Sequence, residues 1–300
     1  MATPIIRTDQ LTVYYGRHRG VVDLDLSVNQ GEVYGFLGPN GAGKTTTQRV
    51  LLDIIRPTGG RAAMFGLDCQ KAGVAVRERV GYLPGELSLY PTMTARGFLE
   101  MVAAVRGGVV DKDYRRSLFE RLQLDPTRRM REYSRGNKQK VGVVAAFMGK
   151  PDLLILDEPT SGLDPLVQSS VLDLVREARD EGRTVFFSSH IISEVQAVCD
   201  RVGIIREGRL VATESVETLT HQQFRRLTIT FAGPPPEFDH AGVTEIARSD
   251  RSVTLEIREN LNAVLERAAS AGVTDIETIP VSLEEVFRAY YGGNQGGHHV

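Results

Sequence analysis

The run Gly38-Pro-Asn-Gly-Ala-Gly43-Lys44-Thr45 fits the pattern G-x-x-x-x-G-K-[ST], and its flanks constrain the fold more than any other stretch. Glu32 to Leu37, just before it, reads as a buried strand. An amphipathic helix follows, with Val50, Leu51, Ile54 and Ile55 on one stripe, and Arg56-Pro57-Thr58-Gly59-Gly60 stops it. Strand, glycine loop and helix in that order let backbone N–H groups curl around phosphate oxygens, with the positive end of the helix facing them. The candidate phosphate-binding residues are therefore Gly38, Pro39, Asn40, Gly41, Ala42, Gly43, Lys44, Thr45 and Thr46. Lys44 is suited to the outer phosphates of a nucleotide, and the Thr45 hydroxyl to Mg2+. A glycine-rich turn that merely contains Lys-Thr is the competing reading, and the strand–loop–helix context disfavours it.

Leu153-Leu-Ile-Leu156-Asp157-Glu158 supplies a second half to such a site. An apolar strand ending in two carboxylates delivers them to the sheet edge where ligands of α/β proteins bind. There Asp157 would hold Mg2+, directly or through water, and Glu158 would orient and polarise an attacking water. Phosphoryl transfer depends on positioning and charge stabilisation, so a metal, a lysine and one placed carboxylate suffice.

The organisation around these segments is alternating. After Leu153 to Leu156 come a helix over Leu166 to Arg179, a strand over Thr184 to Phe187, a helix over Ile191 to Cys199 and a strand over Arg201 to Arg206. The first 30 residues alternate apolar and polar around Leu11, Val13, Val22, Leu24, Leu26 and Val28, with turn signals at Gly16, Gly20 and Asn29-Gln30-Gly31, which predicts an antiparallel layer. Residues 87–146 read as largely helical, broken at Pro91 and Gly107-Gly108. Gly233-Pro234-Pro235-Pro236 reads as a loop between strands at Leu227 to Phe231 and Val253 to Ile257, and a helix is expected over Leu261 to Ala271. The expected fold class is α/β: a P-loop NTPase with a mostly parallel sheet, an antiparallel β layer, a helical subdomain and a small α+β C-terminal appendage. The expected division is 1–220, with the helical part at 87–146, then 221–292 and a mobile tail at 293–300.

Composition excludes several classes. In 300 residues the net charge is −2, and His221 to Val300 carries 7 Arg, no Lys and 11 acidic residues, a net of −4 that repels a phosphate backbone. The apolar runs fall well short of the roughly 18 residues a membrane span needs, and Met1 to Arg7 lacks a secretory apolar core. Two isolated cysteines, Cys69 and Cys199, fit buried thiols better than a disulfide framework or a metal site.

Further motifs make the resemblance specific. Tyr133-Ser134-Arg135-Gly136-Asn137 lies 90 residues beyond Lys44 at Ser134 and resembles the Leu-Ser-Gly-Gly-Gln signature of ABC ATPases. Ser161-Gly-Leu-Asp164-Pro165 follows Glu158 as that family's D-loop does, and His190 matches its switch histidine. From Ile5 to residue 220 the chain resembles an ABC nucleotide-binding domain. The resemblance implies that ATP is the nucleotide and that a second copy, or a paralogous cassette, joins head to tail. Ser134 and Gly136 would then meet the γ-phosphate held by the opposite subunit, with Asp164 in the same composite site. It implies that His190 touches the γ-phosphate, that Tyr15 stacks on adenine, and that Glu158, His190 and Lys44 form the catalytic set. It also implies a separate membrane permease as partner and a cytoplasmic place at the inner membrane face, with no nucleic acid bound.

Each motif has a plainer reading alongside. Ser134 is a good helix N-cap, Asp164-Pro165 a good helix start, and Tyr14 and Tyr15 are ordinary strand aromatics. His190 taken alone reads as a satisfied polar residue. The chain departs from the family at Gly81-Tyr-Leu-Pro84-Gly85-Glu86, where a glutamine normally follows the proline. Glu86 is read either as a replacement Mg2+ ligand or as a loop residue facing solvent or the permease. The signature and the ending Pro280-Val-Ser-Leu283-Glu-Glu-Val-Phe287, with Tyr290 and Tyr291, resemble the ATPases of bacterial efflux exporters. Alternatives are a non-transport ABC ATPase acting on ribosomes or nucleic acid, a regulatory cassette, and an importer ATPase.

Overall fold

A computed structural model describes residues 4–107, 110–221 and 225–279. The closing segment from Pro280, including the exporter-like run Pro280 to Phe287 and the 293–300 tail, lies outside the described residues. The chain divides into two compact units, one ending at Thr213 and the other beginning at Glu214.

The first unit opens on a hairpin, β1 (Ile6–Tyr15) and β2 (His18–Val28), antiparallel with Ile6 opposite Val28 and Tyr15 opposite His18. Gly16, with φ of 61°, makes the turn. Gly20 does not: it lies inside β2, where a Cβ would crowd the Tyr15 ring and the Thr46 methyl. Then come β3 (Val33–Leu37), buried at all five positions, and α1 (Lys44–Leu51). The helix stops four residues short of the expected Ile55. Asp53 turns left-handed (φ 54°), the Arg49 carbonyl accepts the N–H of Ile54 and Ile55, and Ile54 is left 55% exposed. Two more strands, β4 (Gly59–Met64) and β5 (Leu67–Asp68), complete an antiparallel sheet in the order β2-β1-β4-β5.

A short helix α2 (Gly73–Glu78) and strand β6 (Val80–Leu83) lead into the helical segment. It contains α3 (Ala95–Val105), α4 (Lys112–Arg121) and α5 (Arg135–Phe147), capped by Thr94, Asp111 and Ser134, each accepting a backbone N–H from the first turn. The chain then alternates: β7 (Leu153–Asp157), α6 (Pro165–Asp180), β8 (Thr184–Ser189), α7 (Ile192–Val198), β9 (Arg201–Arg206) and β10 (Arg209–Ser215). They build a six-stranded sheet in the order β10-β9-β3-β8-β7-β6. The β9-β3, β3-β8, β8-β7 and β7-β6 pairs are all parallel. Being covered on both faces, β3, β7 and β8 read as continuous apolar runs without alternation. Phe36 and Phe186 meet in this core at 5.3 Å between ring centroids, and each ring buried there contributes roughly 1.5–3 kcal/mol. Cys69 and Cys199 are buried free thiols, as expected, and burial pushes Cys69 up to about 12.

The second unit holds α8 (Val216–His221), β11 (Arg225–Phe231), β12 (Val243–Arg248), β13 (Ser252–Ile257), α9 (Leu261–Ser270) and β14 (Val273–Ile279). Its four strands are ordered β12-β13-β11-β14. Leu227, Ile229, Phe231, Val253, Leu255 and Ile257 alternate inward and pack with Val264 and Ala268 of α9. β12 was not legible in the sequence because five of its six residues are exposed, so its pairing, not its pattern, defines it as a strand.

Candidate functional site

Adjacent parallel strands β3, β8 and β7 end together, with Leu37 opposite Ser189 and Ser188 opposite Asp157. The loop after β3 is pinned on both sides: Gly38 N–H reaches the Ser189 carbonyl at 3.4 Å, and Gly208 N–H reaches the Ala42 carbonyl at 2.9 Å. Gly43 has φ of 112°, and a Cβ there would lie 2.6 Å from the Val21 methyl. Only glycine fits that turn into α1.

Lys44 is 5% exposed, and its ammonium donates to the carbonyls of Gly38 at 2.7 Å and Pro39 at 3.2 Å. Burial holds its pKa below the usual lysine value, while the charges of Glu158 and Asp157 oppose that shift. Glu158 Oε1 lies 3.6 Å from Lys44 Nζ and 3.0 Å from His190 Nδ1. One carboxylate oxygen thus joins the phosphate loop to the exit of β8. Glu158 itself is left-handed (φ 49°), a conformation that costs a non-glycine residue about 1–3 kcal/mol and recurs at functional turns.

Asp157 is 1% exposed; Oδ2 accepts from Thr45 Oγ1 at 2.7 Å and Oδ1 from Ser188 Oγ at 2.6 Å. A hydroxyl and a carboxylate at this separation are hard oxygen donors that suit Mg2+, which takes one or two protein oxygens and completes its shell with water and phosphate. No group of three or more His, Cys, Asp or Glu that could hold a metal ion occurs among the described residues.

Two cavities flank the loop. One, ≈ 290 Å³, is lined by Tyr15, Gly20, Asn40, Gly41, Gly43, Lys44, Thr45, Thr46 and Glu158. There the Tyr15 hydroxyl lies 3.4 Å from Thr46 Oγ1 and the side chain is 45% exposed, free for a flat ligand to cover. The other, ≈ 350 Å³, is lined by Thr45, Tyr82, Gly85, Glu86, Arg135, Asp157 and Glu158 among others. Burial and the Asp157 charge push the Tyr82 phenol up to about 12, so it stays neutral. Glu86 is exposed at this rim, and Gly85 sits so close that a Cβ would be 3.1 Å from Asp157 Oδ2.

The fold therefore gathers Tyr15, Lys44, Thr45, Thr46, Asp157, Glu158 and His190. Ser134, Gly136 and Asp164 line neither cavity. Ser134 is exposed and caps α5 by accepting from Asn137 N–H at 3.2 Å, and Asp164 caps α6 by accepting from Val167 N–H at 3.1 Å. Gly136 packs on the Gly162 carbonyl, 2.6 Å from where its Cβ would be. Three supporting groups were not singled out from the sequence: Ser188 beneath Asp157, Gln139 beneath the Glu158 turn, and buried Glu194, which accepts from the Thr160 and Ser189 hydroxyls. The Ser188-Ser189 pair at a strand end was the one available signal; which strand it faces is set by sheet register.

Comparison with known proteins agrees with this geometry. The pattern of the ABC transporter family matches residues 21–161. An uncharacterised ABC transporter ATP-binding protein of Nostoc is 41% identical over 66% of this chain and 60% of its own length. The bacitracin transport ATP-binding protein BcrA of Enterococcus faecalis is 32% identical over 95% of this chain and 88% of its own. A solved ATP-binding subunit of an ABC transporter superposes with TM-score 0.66 at 28% identity, covering 72% of this chain and 91% of that one. Nucleotide loop, paired carboxylates, sheet order and kinship agree, and the chain belongs to the ATP-binding subunits of ABC transporters, a family of ATPases.

Proposed function

We propose that this chain is the ATP-hydrolysing motor of an exporter, working as a head-to-tail dimer against a separate membrane permease. The observation that carries the catalytic part is Glu158 Oε1 standing within 3.6 Å of Lys44 Nζ and 3.0 Å of His190 Nδ1. What supports the export reading is the likeness, over 95% of this chain, to a relative named for transport of bacitracin, an antibiotic. No helix among the described residues is long and apolar enough to cross a membrane. On this reading residues 1–220 are the cassette, with 87–146 its helical part, and it sits at the cytoplasmic face of the membrane.

In the mechanism, Lys44 exchanges the Gly38 and Pro39 carbonyls for phosphate oxygens, a stronger charge-assisted contact. Thr45 and Asp157 would hold Mg2+, which supplies charge neutralisation on the phosphates. Glu158 accepts a proton from the attacking water at the oxygen that His190 orients. Tyr15 offers its face to the adenine, and Ser134, Gly136 and Asp164 complete the site of the opposite subunit.

Two measurements test this. Phosphate release by the purified chain should fall to a small residual rate in Glu158→Gln while ATP stays bound, and light scattering should then show a dimer with saturating Mg-ATP. Co-expressed with the membrane protein encoded beside it, the intact chain should lower cellular accumulation of a peptide antibiotic such as bacitracin relative to Glu158→Gln. Equal accumulation rejects such a peptide as the cargo, and more accumulation with the intact chain rejects the export assignment.

A further inference from the structure

The signature helix α5 reaches its own chain's catalytic turn at successive points. Arg135 runs its stem along Gly162, and Gly136 presses on the Gly162 carbonyl. One turn on, Gln139 is 7% exposed and its amide nitrogen donates to the carbonyls of Glu158 at 3.2 Å and Pro159 at 3.3 Å. A buried amide with two N–H groups matched to two carbonyls is a fixed strut, because its own donors have little water to fall back on. The carbonyls belong to the turn in which Glu158 is held left-handed.

We propose that Gln139 is a positioning residue that fastens Glu158 to the signature helix. The strut fixes the backbone from which the Glu158 carboxylate meets Lys44 and His190. Because α5 begins at Ser134, movement of the helix start is carried to Glu158. This inference rests on the role given to Glu158 under the proposed function.

Gln139→Met keeps the length of the side chain and removes both donors. In the purified full chain it should lower kcat by one to two orders of magnitude, the cost of a misplaced reacting group. ATP affinity, read with a fluorescent ATP analogue, should stay within about twofold, since the strut touches no phosphate residue. In a Glu158→Gln background, where single-turnover hydrolysis of labelled ATP reads the residual rate, adding Gln139→Met should cost nothing more. Unchanged kcat overturns the proposal, as does an equal fold loss in both backgrounds or a parallel loss of ATP affinity. Should Gln139→Met not fold, Gln139→Leu, which also lacks the donors, takes its place. Failure of both to fold marks Gln139 as structural and overturns the proposal too. If Glu158→Gln alone hydrolyses ATP at the wild-type rate, the reading of Glu158 falls and this inference with it. The Gln139 outcomes, by contrast, leave Glu158 standing.

Discussion

Ser188 and Asp157, on neighbouring parallel strands, are joined by a buried hydrogen bond of 2.6 Å from the serine hydroxyl to Oδ1. The bond leaves Oδ2 alone to face Thr45. Ser188 thus sets which carboxylate oxygen is presented at the nucleotide edge.

Ser188→Ala removes a donor from a carboxylate with 1% exposure. Hydrogen bonds to charged groups contribute about 1.5–3 kcal/mol, and leaving a buried charge unsatisfied costs at least that much. Urea unfolding should show a loss of that size, and the Mg2+ concentration for half-maximal hydrolysis should rise. Unchanged values in both assays would dismiss the assigned role.

Lys44→Ala should abolish hydrolysis and weaken ATP binding by removing the one buried cation of the loop. Lys44 also gives a pH signature. Burial lowers its folded pKa below the ordinary lysine value of 10.5, so between those two values the unfolded chain holds a proton that the folded chain has lost. Stability must rise with pH in that window, and below it the penalty is fully present. The stability of the wild type relative to Lys44→Met should therefore improve as pH climbs from neutral toward 10.5, measured by denaturant titration. A difference flat with pH counts against a buried, desolvated ammonium.

Gly85→Ala places a methyl group 3.1 Å from Asp157 Oδ2. The backbone there is not left-handed, so the effect is on the carboxylate and not on the turn. A raised Mg2+ requirement with little change in melting temperature is expected. Glu86, exposed on the same rim, is separated from this role by its own variants. Glu86→Ala should raise the Mg2+ requirement of the isolated chain if it binds metal. Glu86→Gln should instead uncouple transport in the membrane complex, with hydrolysis intact, if it faces the permease.

The proposed head-to-tail dimer predicts that Ser134 and Gly136 act in trans. Mixing Lys44→Ala chains with Ser134→Arg chains yields dimers with one intact and one doubly broken site. Phosphate release should partly recover over either mutant alone. No recovery, with mixed dimers demonstrated by mass, would remove Ser134 from the partner's site unless the two sites fire only together.

The phosphate loop was legible from neighbouring residues alone, because each of its parts is local: glycines for the turn, a lysine and threonine at the helix start, and an apolar strand before them. So were Asp157 and Glu158 at a strand end and the caps Ser134 and Asp164, since a cap lies within three residues of the N–H it receives. What the sequence left open was everything set between strands. Ser188 beneath Asp157 follows from parallel register, and His190 against Glu158 spans 32 residues of chain. Gln139 beneath the Glu158 turn depends on how α5 lies on the core. Helix α1 stopped early because the Arg49 carbonyl closed the turn that the apolar stripe extended through Ile55. Local steric and capping preferences act over one or two turns and are written in neighbouring residues. Register and packing are settled only when the apolar faces of distant segments are buried together, and those decided which polar groups stand at the site.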